Sequence, residues 1–374
     1  MAPVKYHLGK FPPPSLNWPR LIPLIGPAYT AIARYDGVLS AVPNADVLLS
    51  PLTTQEAVLS SKIEGTVTTV EEVLEFEAGG PVSEEAEDSP KRYDIHEVIN
   101  YRRAITRAVE RLDELPLSGR LIREAHAVLL DGVRGQNKLP GEYRRDQNWI
   151  GAPDSTVETA KFVPIAANLI GDGMSKWERF IHGEYGDLLV QLAIIHAEFE
   201  SLHPFMDGNG RLGRMLIPLF LFEKKILSRP TLYVSAYLES RKEEYYDRLL
   251  AVSRDEDWTG WCVFFLEALR AQGAVNAERA RALIDLYDEK KTWVSEQTRS
   301  PYAIHALEYV FKRPIFNASD FVAHAGVPAP TARRIIGVLR DEGMLKVLRQ
   351  ASGRRPAVYA FGDLLNVTED RRLF

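Results

Sequence analysis

One twelve-residue stretch, His203-Pro204-Phe205-Met206-Asp207-Gly208-Asn209-Gly210-Arg211-Leu212-Gly213-Arg214, collects the side chains that phosphate chemistry needs. Gly208, Asn209 and Gly210 form a turn ahead of an apolar run. A turn that opens a helix leaves free N–H groups, and glycines let a ligand approach them, which makes an anion site. Arg211 and Arg214 are three apart, so they share a helix face and can fork onto phosphate oxygens. Asp207 is a hard oxygen ligand beside them and suits Mg2+ carried by a polyphosphate. His203 can take a proton at neutral pH. A Gly-x-Gly turn alone is usually only a turn, and a lone histidine usually only a satisfied cap. The combination reads as phosphoryl or nucleotidyl transfer.

Two helices must hold this stretch. Before it, Leu188, Leu192, Ile195, Phe199 and Leu202 recur at helical spacing and form one apolar face. Pro204 ends that helix, because it lacks an N–H and restricts the residue before it; His203 is then its cap. After it, Met215 to Phe222 reads as a second, deeply buried helix. Upstream, Pro51 to Glu64 reads as a helix with Ser50 as N-cap and Leu52, Leu59 and Ile63 as its buried stripe. Gly65 ends it as a left-handed cap, and Thr68-Thr69-Val70-Glu71 reads as a capping box starting the next helix. Ser60 and Glu64, four apart, share a face of the Pro51–Glu64 helix.

The stretch from His203 to Arg214 resembles the Fic family signature, His-Pro-Phe-x-Asp/Glu-Gly-Asn-Gly-Arg-x-x-Arg, at every specified position. The resemblance implies a mainly α fold: a Fic-type helical bundle with a small β-hairpin flap. It also implies transfer of AMP from ATP to a hydroxyl of a target protein, with release of pyrophosphate. By the same resemblance, Gly208, Asn209, Gly210, Arg211, Leu212, Gly213 and Arg214 bind the phosphates of ATP. Asp207 holds Mg2+, and His203 is the general base on a Ser, Thr or Tyr hydroxyl. Ser60-Ser61-Lys62-Ile63-Glu64-Gly65 resembles the family's inhibitory motif, in which the glutamate pairs with the second motif arginine, here Arg214. Tyr245 and Tyr246 match a tyrosine pair that lines the adenosine pocket, with Ser253 seven residues on. Residues 140–151 and 160–164 read as the two arms of a hairpin. In the family such a hairpin is a flap that takes the target segment as an added strand, and here it would use Trp149, Ile150 and Gly151. AMP removal, transfer of another phosphate-containing group by the same residues, and a DNA-binding nucleotide sensor are the rival readings. An intact His203 speaks against the last, since sensing needs no base.

Composition sets bounds. At 374 residues there is room for two or three domains, and 45% hydrophobic with 26% charged residues is ordinary for a globular chain. Cys262 is the only cysteine, so no intrachain disulfide forms and a reducing compartment is expected. No apolar run approaches a membrane span, and the first residues carry no secretory core, so the cytoplasm is the expected location. Residues 301–374 carry 11 Lys/Arg against 7 Asp/Glu, and residues 1–300 carry 35 against 44. A basic tail on an acidic body is a weak hint of a nucleic-acid or acidic partner.

In order, residues 1–90 read as an N-terminal region. It holds a proline-rich extended arm, a helix over 22–41, the inhibitory helix at about 51–65 and an acidic loop over 79–90. Residues 91–273 read as the catalytic core, with helices over 91–113, 118–131, 166–183 and 187–203. The arginines Arg102, Arg103, Arg107 and Arg111 read as a solvated face of the first of these. A long charged helix at 274–300 connects to a separate small domain, 301–374. There, three helices and a hairpin with Gly353-Arg354-Arg355 at its tip resemble a winged helix, a fold that reads DNA or docks on protein. Expected partners are therefore a target protein, the chain itself as a substrate, DNA or protein at the tail, and a second copy in a homodimer.

Overall fold

The computed structural model describes residues 2–40, 45–80, 89–134, 137–152 and 154–369. The chain is mainly α-helical. Its elements begin with β1 (Val4–Lys5), α1 (Trp18–Ser40), α2 (Ala45–Ile63), α3 (Val70–Glu77), α4 (Pro90–Leu112) and α5 (Gly119–Leu129). There follow β2 (Phe162–Val163), a 3-10 turn at Ala167–Leu169, α6 (Ile170–His182), α7 (Leu188–Leu202), α8 (Asn209–Glu223), α9 (Ser235–Ser240), α10 (Lys242–Asp255) and α11 (Trp258–Thr298). The C-terminal part holds α12 (Ala303–Lys312), β3 (Ile315–Asn317), α13 (Ala318–His324), α14 (Ala329–Asp341), β4 (Lys346–Arg349), β5 (Val358–Ala360) and α15 (Gly362–Glu369). Among the described residues, no helix is long and apolar enough to cross a membrane. The acidic loop expected over 79–90 falls largely outside the described residues, since 81–88 are not among them.

The chain forms two compact units. The first comprises Met1–Asp36, Leu59–Gly65 and Asn100–Ala274. Its centre is α7, in which every residue from Leu189 to Leu202 is buried, packed against α6, α8 and α10. Each fully buried Leu or Ile there contributes roughly 1.5–3 kcal/mol. Two tryptophans that must find partners for their indole N–H do so on the same helix. Trp177 donates to Ile195 O at 2.9 Å and Trp261 to Ala193 O at 2.6 Å. The arm read as extended over residues 1–20 supplies β1, which pairs in parallel with β2, Val4 opposite Phe162, but its last residues from Trp18 belong to α1. Phe11 packs edge-on to Phe180 at 5.2 Å. The first long helix starts at Trp18, earlier than the pattern suggests, and contains Pro23 and Pro27. Both prolines are exposed and four apart, on the solvent side, where water can serve the carbonyls that lose their N–H partner.

The second unit comprises Gly37–Val58, Thr66–Ile99 and Val275–Phe374. Here two expected helix starts are corrected. Ser50 is not an N-cap: α2 begins at Ala45 and carries Pro51 inside, while Ser50 Oγ donates to Lys312 O at 3.1 Å. The capping box lies one residue later than read, between Thr69 and Glu72, with Glu72 N donating to Thr69 Oγ1 and Thr69 N to the Glu72 carboxylate. The long charged helix expected to begin at 274 is the second part of one continuous α11, which starts at Trp258. On the part of α4 that belongs to the first unit, Arg103 and Arg107 are exposed and ion-paired, with Asp131 and Glu110, as a solvated face should be; Arg111 is more enclosed and pairs with Glu124. Beyond α11, the sheet order is β3-β5-β4, all antiparallel, with a bulge between Val347 and Arg349. Its interior is aromatic: Phe316 and Phe321 lie 5.4 Å apart, and Tyr309 meets Phe321 at 5.1 Å. The tip of the β4–β5 loop closes by a bridge between Ser352 and Arg355, with Gly353 at φ +56°. β3 and α15 have no counterpart in the sequence reading.

Candidate functional site

The site is built in the first unit around the loop between α7 and α8. His203 closes α7 in the left-handed conformation, φ 47° and ψ 58°, unusual for a residue with a Cβ. Arg144 holds the loop there. Its Nε donates to His203 O at 2.9 Å, Nη1 to Asp146 O at 2.9 Å and Nη2 to Ile165 O, while its own N–H donates to Pro204 O at 2.9 Å. This arginine is almost wholly buried, and burial brings its guanidinium down to about 10, still charged at neutral pH. The His203 Nδ1–H donates to Glu200 O at 3.3 Å, which leaves Nε2 as the unprotonated nitrogen. Burial lowers this imidazole to about 4, against the opposing pull of the Glu200 carbonyl and the Glu64 charge, so it is neutral at pH 7.

The turn that follows is pinned from both sides. The buried Asn209 amide accepts from Phe205 N at 2.9 Å and donates to Phe205 O at 2.8 Å. Gly208 sits at φ +78°, and a Cβ there would press on Leu129 at 3.1 Å. Asp207 Oδ1 accepts from Gly208 N at 2.6 Å and lies 3.4 Å from Arg211 Nη2. His126 completes the support. Its Nδ1 accepts from Gly141 N at 2.8 Å, so its Nε2–H donates to Asp207 O at 3.1 Å, and its ring stacks on Phe205 at 3.9 Å.

Arg214, 1% exposed, is the hub of the far wall. Its Nε donates to Ser60 Oγ at 2.8 Å, and Nη2 donates to Ser60 O at 2.8 Å and to Glu64 Oε1 at 2.7 Å. Ser60 and Glu64, read as sharing a helix face, thus meet the same guanidinium. Burial opposes ionisation of Glu64, but the Arg214 charge and hydrogen bond outweigh it and hold the carboxyl below its ordinary range. Glu64 Oε1 rests over Gly210, where any Cβ would collide with it. Lys62 to Glu239 at 2.9 Å and Tyr246 OH to Ile63 O at 3.4 Å fasten the same helix end, and Gly65 takes the left-handed φ of +97° expected of its cap.

These groups enclose a cavity of about 680 Å³. His203, Gly210, Arg214, Tyr245 and Tyr246 line it, together with Glu64 and the segment Trp149, Ile150, Gly151. Gly208, Asn209, Arg211, Leu212 and Gly213 are not on its wall; Leu212 is wholly buried, with its N–H donating to Gly208 O at 3.1 Å. Tyr245 donates its hydroxyl to His196 Nε2 at 2.9 Å, so its ring rather than its O–H is what the cavity offers. Ser253 is engaged elsewhere, 2.7 Å from His7 Nδ1. The hairpin is short: Ile150 and Phe162 form one antiparallel bridge, and the segment before Ile150 is irregular rather than strand. Since β1 occupies the other edge of β2, the Ile150 side is where a further strand would add. Trp149 and Ile150 are exposed there.

Asp207 fits a metal that arrives with its ligand. Its side chain is 43% exposed, and a single carboxylate with substrate phosphates is how Mg2+ is commonly held. Among the described residues there is no cluster of three or more His, Cys, Asp or Glu side chains that would form an all-protein cage.

Glu200, Arg144 and His126 belong to this site, yet spacing alone does not single them out. For Glu200 a signal exists: it is one of two acids, with Glu198, in a largely apolar run, and four residues after His196 it lies on that residue's face. The roles of Arg144 and His126 depend on carbonyls distant in sequence.

Two family models match the chain: Fic/DOC family N-terminal over residues 22–110, and Fic/DOC family over residues 116–221. A probable protein adenylyltransferase of Aquifex aeolicus is 26% identical over 216 residues, 55% of this chain and 59% of that protein. The protein adenylyltransferase Fic of Drosophila yakuba is 31% identical over 84 residues, 22% of this chain and 15% of that protein. The matched stretch therefore spans 59% of the first of these relatives and 15% of the second, less than two thirds of either. A Fic family protein from Desulfovibrio desulfuricans G20 shares the fold with a TM-score of 0.60 at 22% identity, over 94% of this chain and 98% of that one. Fic-1 (aa134–508) from C. elegans follows at TM-score 0.52 and 16% identity, over 72% of this chain and 75% of that one. With both models matched in order, and the signature from His203 to Arg214 inside the second, the chain belongs to the Fic/DOC family.

Proposed function

We propose that this chain is a protein adenylyltransferase that moves AMP from ATP to a hydroxyl side chain of a target protein. One observation carries the reading: a neutral histidine with a free Nε2, a helix-opening glycine and a buried arginine face one cavity of nucleotide size. The names of the relatives agree with it. In this account the triphosphate lies over the start of α8, where backbone N–H groups and the helix dipole favour anions. Arg211 and Arg214 neutralise its charge. Bound at Asp207, Mg2+ would screen the phosphate charge. His203 Nε2 takes the proton of the target hydroxyl, whose oxygen attacks the α-phosphorus, and pyrophosphate leaves. The target backbone adds as a strand beside Ile150, with Trp149 and Gly151 flanking it.

Autoinhibition by Glu64 is part of the proposal. Its carboxylate holds the guanidinium that the γ-phosphate needs, supported by the 2.7 Å contact with Arg214. A triphosphate displaced from Arg214 leaves its α-phosphorus misaligned, and misplacement of that kind costs about a hundredfold in rate. The test is incorporation of label from α-labelled ATP into protein. His203→Ala should abolish it while ATP binding persists; equal loss of both would make His203 structural and defeat the assignment.

Residues 301–374 we read as a winged-helix module, supported by the order α12, β3, α13, α14, β4, β5 and the antiparallel β3-β5-β4 sheet. Arg333 and Arg354 are exposed on it and are the side chains a nucleic-acid contact would use; Arg334 is committed to Thr298 O at 2.9 Å. Such binding would weaken steeply with salt, and full-length chain that shows no salt-dependent retention on DNA would leave protein docking as the module's task.

A further inference from the structure

Glu200 is the one buried acid of the cavity wall that no motif accounts for, Asp247 on the same wall being exposed. It lies on α7, is 9% exposed, and its Oε1 has no hydrogen-bond partner among the described residues. A buried carboxylate without a donor is costly, so its surroundings decide its protonation. On its own helix, the nearest ring nitrogen is His196 Nε2 at 3.9 Å. That nitrogen cannot donate: His196 Nδ1 bears the hydrogen, given to Gly213 O at 2.9 Å, and Nε2 accepts from Tyr245 OH at 2.9 Å. From α10, the Tyr245 hydroxyl is thereby spent, and Tyr246 gives its own to Ile63 O. From α8, the cation that acts on it is Arg214, and its Nε and Nη2 are directed to Ser60 and Glu64. At the end of α2, Glu64 adds a second negative charge. The Glu200 carboxyl thus faces lone pairs, a rival carboxylate and a committed guanidinium.

We propose that Glu200 is a nucleotide-contacting residue that works as a neutral acid, donating its O–H to a phosphate oxygen of the triphosphate held at Arg214. The inference rests on the ATP site proposed above and adds to it a donor outside the signature. A phosphate oxygen is an acceptor and an anion, so it suits a protonated carboxyl and repels an ionised one. Burial raises Glu200 to about 8, with Glu64 adding to the rise and Arg214 opposing it, so the acid is mainly protonated at neutral pH and ionises just above it. The carboxyl also rests against Gly213, where a Cβ would strike Oε1; a larger residue there would move the acid off its place.

The experiment is the dissociation constant of ATP, with Mg2+, measured on full-length chain from about pH 7.5 to about pH 9.5, for wild type, Glu200→Gln and Glu200→Leu. Binding that requires the proton weakens about fivefold between pH 8 and pH 9 for a group titrating near 8, by one-proton linkage. Wild type should show that rise. Glu200→Gln, which keeps a donor and cannot ionise, should bind like wild type at the low end and stay flat. Glu200→Leu should bind more weakly throughout, also without pH dependence. ATP binding that is flat in wild type, or that rises equally in Glu200→Gln, overturns the proposal while leaving the ATP site standing. No ATP binding by any of the three at any pH overturns the nucleotide reading, and this inference with it.

Discussion

Arg214 Nη2 and Glu64 Oε1 lie 2.7 Å apart although 150 residues separate them in sequence. The guanidinium is buried and the carboxylate is 35% exposed, so the pair is anchored at one end and open to competition at the other. An anion entering the cavity competes with the Glu64 carboxylate for the guanidinium, whose Nε stays bonded to Ser60 Oγ. Removing the two partners should therefore have opposite consequences. Arg214→Ala removes the cation and strips the Glu64 carboxylate and the buried Ser60 hydroxyl of the hydrogen bonds it donates; it should lose ATP binding and about 3 kcal/mol of stability. Glu64→Gly should bind ATP at least as tightly as wild type and lose no more than about 1 kcal/mol. Titration calorimetry with chemical denaturation checks both, and matching loss of ATP binding in the two variants would refute the competition.

Gly210→Ala separates the clamp from the phosphate nest. Alanine is preferred over glycine in a helix by about 1 kcal/mol, and Gly210 has helical backbone. The new methyl would displace the Glu64 carboxyl and also stand between the nest and a phosphate. Expected are a thermal midpoint no lower than wild type and an ATP dissociation constant raised at least tenfold. Unchanged ATP affinity would mean that the phosphates do not approach this turn.

Stability should fall with acid through buried histidines. Burial takes His126 to about 4 and His196 to about 3, both below the value of about 6.5 for an unfolded chain. The unfolded state therefore binds more protons over that window. Stability is complete above about pH 6.5 and declines as pH falls toward the folded values, by up to about 1.4 kcal/mol per pH unit for each histidine. Denaturation of wild type and His126→Gln across that range checks it: the variant should show the shallower slope, and equal slopes would contradict the assignment.

Arg144→Met tests how the base is held. The substitution strips three carbonyls, those of His203, Asp146 and Ile165, of their shared donor. It should cost about 3 kcal/mol, and AMP transfer should fall more than ATP binding, because His203 loses its support while Arg214 does not. Parallel loss of both would mark Arg144 as a general core residue.

Much of the site was legible because its signals are local. Pro204 ends α7, Gly65 takes its left-handed cap, and the apolar spacing of 188–202 marks a helix, although the structure buries it on every side and not on one face alone. Ser60 and Glu64 lie on one face because four residues make about one turn. Where tertiary structure overrides local preference, the reading fails. Ser50-Pro51 has the sequence of a helix start, yet α2 runs through it, and Ser50 Oγ serves the Lys312 carbonyl instead. The parallel pairing of Val4 with Phe162 joins segments with no shared pattern. Glu200 was hidden for a different reason: its meaning lies in which neighbours have hydrogens to give, and that depends on His196, Gly213 and Tyr245 meeting in space.

The most direct measurement is incorporation of label from α-labelled ATP, with Mg2+, into protein, self-modification included. It compares wild type, Glu64→Gly and the double variant Glu64→Gly with His203→Ala. The account predicts low incorporation by wild type, a rise of about a hundredfold in Glu64→Gly, and none above background in the double variant. Incorporation persisting in a folded double variant would contradict the central claim that His203 is the base of an AMP transfer held in check by Glu64.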